Sequence, residues 1–115
     1  MKNPLLNWPV IIKHSDDAEL TYISDQSEWD NDPDLHHFDF DISDYLIDSK
    51  GRLFNLTKRE DEHIKPEASG RSMSLDEILG LIKAHAAQKG SCCVAKIYAP
   101  GIDEAFRIVA SLEDT

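Results

Sequence analysis

The stretch YLIDSKGRLFNL, residues 45–56, carries the clearest structural signal in the chain. Apolar residues flank the tetrapeptide DSKG at 48–51, which has the composition of a type I turn followed by a glycine in the left-handed conformation. The pattern predicts a β-hairpin with strands at 45–47 and 52–56. An antiparallel sheet is therefore the starting point for the fold.

A second hairpin is predicted upstream. Residues 8–14 are mostly apolar at both even and odd positions, so both faces of a strand here would be apolar. This is typical of a strand buried on both faces. The turn residues SDDAE follow, and 20–24 then predicts the returning strand. Asp25 and Glu28 have the spacing of a capping box and predict a short helix that ends before Pro33.

The next segment, FDFDI at 38–42, alternates between apolar and polar residues. This period of two predicts a half-buried strand whose aromatic side chains enter the core. On such a strand His37, Asp39 and Asp41 would share the solvent-exposed face, and His36 would lie on the other face with Phe38.

The rest of the chain predicts one long loop, two helices and one strand. Residues 58–71 are highly charged and predict a solvated loop. Ser74 and Glu77 form a capping box that begins a helix ending at Gly90, 92–98 predicts a strand, and a second amphipathic helix begins near Ile102. The expected fold is one α+β domain over 1–115, with about six mostly antiparallel strands in the order ββ(α)βββαβα and two helices packed on one face.

The charge distribution is strongly asymmetric. The formal net charge is −10, and no lysine or arginine lies between His14 and Asp48. That segment contains twelve acidic residues: Asp16, Asp17, Glu19, Asp25, Glu28, Asp30, Asp32, Asp34, Asp39, Asp41, Asp44 and Asp48. The concentration predicts one contiguous acidic surface that repels nucleic acid and anionic membranes and attracts cations or a basic protein.

A partner-binding site is predicted within this acidic segment. Trp29 follows Glu28 in the short helix, and an exposed aromatic side chain surrounded by carboxylates would anchor a basic partner. The alternative is that Trp29 packs the helix onto the sheet. The candidate partner-binding residues are Asp25, Glu28, Trp29, Asp30, Asp32 and Asp34.

A divalent-metal site is the competing hypothesis. Segment 36–41 offers two histidines and two aspartates, with His37, Asp39 and Asp41 as candidate ligands, but a metal site of this kind needs further ligands from other segments. Four aspartates also match positions 1, 3, 5 and 12 of a calcium loop: Asp30, Asp32, Asp34 and Asp41. Leu35 stands where that loop requires glycine, so the calcium loop is not predicted.

No sequence motif identifies a reaction. The chain lacks the nucleophile-elbow, zincin, P-loop and dinucleotide-binding patterns, so we assign no catalytic residue and no cofactor. Adjacent Cys92 and Cys93 predict free thiols in a reducing compartment. Together with the absence of a long apolar run and of a clear secretory segment in MKNPLLNWPVIIKH, this predicts a cytoplasmic protein.

Three segments carry a resemblance to a known family: NWPVIIKHSDDAELTYISDQSEW at 7–29, YLIDSKGRLFNL at 45–56 and SLDEILGLIKAHA at 74–86. Together they resemble a family of small, mostly gammaproteobacterial proteins that is known as a domain of unknown function. The resemblance implies a cytosolic bacterial α+β protein and transfers no activity or functional residue. The sequence thus predicts a non-enzymatic protein that presents residues 16–48 to a basic partner, with the metal-binding protein or metal-dependent enzyme as the alternative.

Overall fold

A five-stranded antiparallel sheet forms the centre of the computed structural model, which describes residues 6–91 and 94–113. Its strands are β1 (Val10–Lys13), β2 (Leu20–Ile23), β3 (Tyr45–Asp48), β4 (Arg52–Asn55) and β7 (Glu67–Ser72). They lie in the order β2-β1-β3-β4-β7, and the short strands β5 (Arg59–Glu60) and β6 (His63–Ile64) form a separate hairpin. The predicted α+β class and antiparallel sheet are confirmed.

Two long helices cover one face of the sheet, as predicted. They are α3 (Leu75–Gln88) and α4 (Ile102–Glu113), and α3 begins with the predicted capping box of Ser74 and Glu77. Their apolar faces pack on Ile11 and Ile47 of the sheet in one hydrophobic cluster. The helix periodicity was sufficient to predict this layer because the apolar stripe of each helix must be buried.

A second layer covers the opposite face of the sheet, and of its elements only the first short helix was predicted. It consists of two five-residue helices, α1 (Gln26–Asp30) and α2 (Pro33–His37), and the β5–β6 hairpin. Each contributes one buried anchor to a second hydrophobic cluster, namely Trp29, Leu35 and Ile64. Strand β1 is therefore buried on both faces, as its sequence predicted.

The prediction of a strand at residues 38–42 is wrong. Asp32 caps α2 by accepting a hydrogen bond from the Leu35 N–H at 3.1 Å, and Pro33 occupies the first turn of the helix, where its missing N–H is not needed. Asp32 and Pro33 thus have two roles: they end the segment that contains α1, and they begin a second helix. Residues 38–44 then form an irregular loop in which Phe38 and Ile42 are exposed.

Two other predicted elements differ from the structure. The charged segment 58–71 has mostly exposed side chains, as expected. Its backbone nevertheless forms β5, β6 and most of β7, because charged residues suit hairpins and edge strands with solvent-facing side chains. Of the strand predicted at 92–98, residues 92 and 93 lie outside the described residues, and Val94–Lys96 form a short 3₁₀ helix. A short apolar run does not by itself distinguish a strand from a turn of helix.

Strand β7 is an irregular edge of the sheet. Arg52 pairs with Ser72 and Phe54 pairs with Ala68, so two steps along β4 correspond to four along β7. Gly70, with φ of +81°, lies in this bulge. Apart from the half-buried Ser69, the side chains of β7 are exposed.

The β3–β4 turn requires glycine at position 51. Gly51 has φ of +81°, and a Cβ atom there would lie 2.8 Å from the Met73 carbonyl oxygen and 3.1 Å from Cδ1 of Ile102. We expect Gly51→Ala to lower the free energy of unfolding by about 2 kcal/mol, because a left-handed conformation and a backbone clash combine.

Urea denaturation followed by tryptophan fluorescence measures this effect. Gly80→Ala is the matched control, since Gly80 lies within α3 with open space around its Cα. That substitution should raise the free energy of unfolding by about 0.5–1 kcal/mol through helix propensity. Equal effects of the two substitutions would contradict the assignment of Gly51.

Candidate functional site

Ten of the twelve acidic side chains between residues 16 and 48 remain at least partly exposed, and two are buried. Asp44 and Asp48 are 5% and 0% exposed, so the prediction that they belong to the acidic surface is wrong. Asp48 accepts hydrogen bonds from Asn7 and from the backbone and guanidinium of Arg52. Burial raises the pKa of both carboxyls, but the hydrogen bonds outweigh burial and hold each pKa below its ordinary value.

The exposed carboxylates concentrate on the second layer, which we call the acidic layer and define as residues 25–39 and 58–65. Here they outnumber the cationic side chains nine to three. The nine are Asp25, Glu28, Asp30, Asp32, Asp34, Asp39, Glu60, Asp61 and Glu62, and the three are Lys58, Arg59 and Lys65. The remaining exposed acids of the segment lie in the β1–β2 turn and at Asp41.

Local structure fixes where several of these carboxylates lie. Asp25 caps α1 by accepting a hydrogen bond from the Glu28 N–H at 2.9 Å, and Glu28 accepts one from the Ser24 N–H at 2.7 Å. Asp32 caps α2 in the same way. Because acidic residues stabilise helix N-termini, the two short helices and the high negative charge have a common origin in the sequence.

Trp29 is not the exposed anchor that the acidic segment suggested. Its side chain is 4% exposed and packs α1 onto the sheet, which was the alternative interpretation. Its ring lies 6.2 Å from that of Trp8 and 5.4 Å from the ring of His36, measured between centroids. Trp29 is therefore unavailable as an anchor for a partner on this surface.

An exposed aromatic group does occur beside α2. The rings of Phe38 and Phe40 lie 4.8 Å apart, and the His14 imidazole is stacked on Phe40 at 5.5 Å with an interplanar angle of 3°. Phe38 is 46% exposed. These rings border a cleft of about 200 Å³, here called the aromatic cleft, which is lined by Ile12, His14, Thr21, Asp32, Asp34, Leu35, Phe38 and Phe40.

Both ends of the loop that carries Phe38 and Phe40 are fastened. The Arg59 guanidinium donates hydrogen bonds to the carbonyl oxygens of His36 and Phe38, the latter at 2.7 Å. At the other end, buried Asp44 accepts hydrogen bonds from the Asp41 N–H at 2.7 Å and the Ser15 N–H at 2.8 Å. The cleft is therefore held in place without regular secondary structure in the loop.

The candidate metal ligands are not brought together. His36 is buried, with its Nε2 2.8 Å from the Trp29 carbonyl oxygen and its Nδ1 accepting a hydrogen bond from the Ile64 N–H at 3.0 Å. Both ring nitrogens are thus in use, and burial lowers the pKa of His36. The predicted strand is absent: His37 ends α2, whereas Asp39 and Asp41 lie in the loop that follows. Within residues 6–91 and 94–113 no group of three or more potential ligands could hold a metal ion.

A polar cavity of about 320 Å³ lies between α2 and the β5–β6 turn. His36 and His63 meet there with ring centroids 4.4 Å apart, and Asp61 and Glu62 form the turn with φ of 53° and 64°. Asp30 and His37 complete its titratable lining. Because His36 already has two hydrogen-bond partners, we interpret the contact with His63 as packing.

A family model now identifies the chain. The model DUF4144, described as a protein structure with unknown function, matches residues 8–109. The chain belongs to this family. The resemblance seen in the sequence is thereby confirmed, and the match includes every element from β1 through most of α4.

One solved structure supports the same assignment. It is the NMR structure of a protein from Shewanella amazonensis, 27% identical, with a TM-score of 0.68 over 97% of this chain and 94% of that chain. No curated protein matches the chain. Among the helices of the described residues, none has the length and apolarity needed to cross a membrane.

Sequence reasoning found two carboxylates of the aromatic cleft, Asp32 and Asp34, but missed its aromatic residues and the arginine that fastens their loop. The alternation of Phe38 and Phe40 with aspartates imitates a half-buried strand and therefore predicts that both rings enter the core. Arg59 lies 21 residues after Phe38 in a segment predicted to be a loop, and its contacts depend on the β5–β6 hairpin. The available signal was the Asp32-Pro33 pair, which favours the start of a second helix at Pro33 as well as the end of the first helix.

Proposed function

We propose that this DUF4144 protein is a non-enzymatic accessory protein that presents its acidic layer to a basic protein partner. The observation that carries the proposal is the ratio of nine carboxylates to three cationic side chains on that layer, beside an exposed phenylalanine. Such a surface repels phosphate backbones and anionic lipids and attracts lysine- and arginine-rich surfaces.

The charge should act mainly on the rate of association. Exposed carboxylates attract a basic partner over distances of about 8 Å at physiological ionic strength, whereas each exposed ion pair adds little to the final affinity. Phe38 and its neighbouring rings supply the apolar area that exposed charges lack. Fast, salt-dependent encounter followed by a short-range aromatic contact is the expected binding mode.

We also place the protein in the cytoplasm, as the sequence predicted. The support is the pair Cys92-Cys93, which cannot form a relaxed disulfide with each other and suits a reducing compartment.

The expected result is an association rate that falls at least about tenfold between low and high ionic strength. The partner is first isolated on the immobilised protein, from lysate of a bacterium that carries the gene, and its rate constants are then measured by surface plasmon resonance. The test variant neutralises three exposed carboxylates of the acidic layer: Asp30→Asn, Asp34→Asn and Asp39→Asn. It should associate more slowly than the wild type at low salt and at nearly the same rate at high salt.

The matched control removes the same charge from the helices on the other face of the sheet through Asp76→Asn, Asp103→Asn and Glu104→Gln. Both variants have the same net charge, so a specific role of the acidic layer requires that the control associates faster than the test variant. An association rate that is independent of salt, or equally slow in both variants, would show that the acidic layer does not guide the partner.

A further inference from the structure

We propose that the aromatic cleft binds a single arginine side chain of the basic partner. The inference rests on the proposed function and adds to it the residue type that is recognised and the place where it is bound.

The size and lining of the cleft suit one long side chain. Its volume of about 200 Å³ is smaller than the roughly 300–1,000 Å³ of pockets for small-molecule ligands. Ile12 and Leu35 are buried beneath it, while the Phe38 ring remains 46% exposed at its edge. The methylene stem of a long side chain would gain apolar contacts here and keep its charged end near solvent.

The charges around the cleft select a cation. Asp32 and Asp34 contribute to its lining. Asp32 uses one carboxylate oxygen to cap α2, whereas Asp34 makes no hydrogen bond or ion pair to any residue within 6–91 and 94–113. Arg59, the nearby cation, is engaged by two backbone carbonyl oxygens and lies 3.9 Å from Asp39. A carboxylate available beside an exposed aromatic ring offers a cation two contacts at once.

Arginine satisfies both contacts better than lysine. Its guanidinium is planar, stacks on aromatic rings and binds a carboxylate through two parallel hydrogen bonds. It is also less strongly hydrated than an ammonium group, so less solvation is lost when it enters a half-open cleft. Phe38 offers the ring and Asp34 the carboxylate.

The test is an NMR titration of the ¹⁵N-labelled full chain at low ionic strength. The probe is a blocked heptapeptide with one central arginine among glycine and serine, and the comparison peptides carry lysine, citrulline or norleucine instead. We expect the arginine peptide to shift the amide signals of Asp34, Phe38 and Phe40, and to bind at least about tenfold more tightly than the citrulline peptide, which lacks the charge. Lysine should bind more weakly than arginine.

Two substitutions test the assigned residues. Phe38→Ala and Asp34→Asn should each weaken binding of the arginine peptide by about fivefold, the size expected from an exposed cation–π contact or a charged hydrogen bond. Asp76→Asn, at the start of α3, is the control and should leave binding unchanged. Both tested side chains are exposed, and unchanged amide signals elsewhere will show that the variants are folded.

The outcomes separate this inference from the proposed function. A nona-arginine peptide is titrated in parallel. If both peptides shift the acidic layer diffusely and Phe38→Ala has no effect, the arginine cleft is wrong while the acidic layer still binds basic chains. If citrulline or norleucine binds as well as arginine, the cleft does not select a cation and the inference fails. If neither peptide binds at low salt, both proposals fail.

Discussion

Replacing Asp48 by alanine is expected to lower the free energy of unfolding by about 2–4 kcal/mol, because a fully buried acceptor of several hydrogen bonds is removed. The carboxylate is 0% exposed and lies 2.9 Å from the Arg52 guanidinium. It also accepts hydrogen bonds from the side-chain amide of Asn7 and the backbone N–H groups of Lys50 and Arg52. Alanine leaves all of these donors without their acceptor.

Urea denaturation followed by tryptophan fluorescence measures the loss. Asp48→Asn keeps the shape of the side chain and one acceptor oxygen, so it should lower the free energy of unfolding by less. It provides a measurable variant if the alanine protein does not fold. Asp39→Ala is the matched control, because the Asp39 side chain is fully exposed, and it should change the free energy of unfolding by no more than about 0.5 kcal/mol. A loss below 1 kcal/mol in both Asp48 variants would refute the structural role.

Acidification from pH 7.5 to 5.5 is expected to destabilise the fold through two buried histidines. The Nδ1 atom of His36 accepts a hydrogen bond from the Ile64 N–H, and that of His85 accepts one from the Leu20 N–H, each at 3.0 Å. A protonated ring cannot accept these bonds, so both histidines are neutral in the native state. Burial lowers the pKa of each below its ordinary value of 6.5.

The sign of the effect follows from proton linkage. Between the lowered native pKa and the ordinary value, the unfolded chain binds more protons than the native state, so stability falls as the pH falls below about 6.5. The slope is at most ~1.4 kcal/mol per pH unit for each histidine.

Charged neighbours moderate the effect of burial without reversing it. Glu113 and Glu19 favour protonation of His85 and Lys89 opposes it, while Asp32 and Asp30 favour protonation of His36 and His63 opposes it. The pKa values of Asp44 and Asp48 lie below their ordinary value, which keeps these carboxyls out of the chosen pH range.

Urea denaturation at several pH values tests this linkage. His85→Asn retains an acceptor for the Leu20 N–H but does not titrate, so its stability should depend less on pH than that of the wild type. His37→Asn is the control, because the His37 side chain is exposed, and it should keep the wild-type slope. A wild-type stability that rises on acidification, or an unchanged slope in His85→Asn, would contradict the assignment.

Local sequence predicts those parts of the fold whose turn, capping and apolar residues all lie within the same hairpin or helix. The β3–β4 hairpin follows from the turn residues and Gly51, and α3 follows from its capping box and apolar stripe. These signals lie within each element, and tertiary packing stabilises the local structure that they already specify.

Most of the second layer could not be predicted because its elements are too short to have a period. The exception is α1, whose start is signalled by Asp25 and Glu28. Five residues of α1 or α2 complete little more than one helical turn, and such helices are stable only through tertiary contacts. Those contacts join residues distant in sequence, such as His36 with Ile64 and Arg59 with Phe38. The aromatic cleft could not be predicted for the same reason, because it depends on contacts between residues distant in sequence. The excess of carboxylates is visible in the composition alone.

The bulge in β7 makes this edge of the sheet a poor template for another strand. Edge strands present unpaired backbone groups on which another chain can add a strand, and straight, apolar edges are the most hazardous. Here the backbone turns through Gly70 and carries the polar, solvent-facing side chains of a six-residue strand. A neighbouring molecule therefore finds no regular ladder to extend here, which disfavours amyloid-like strand addition at this edge.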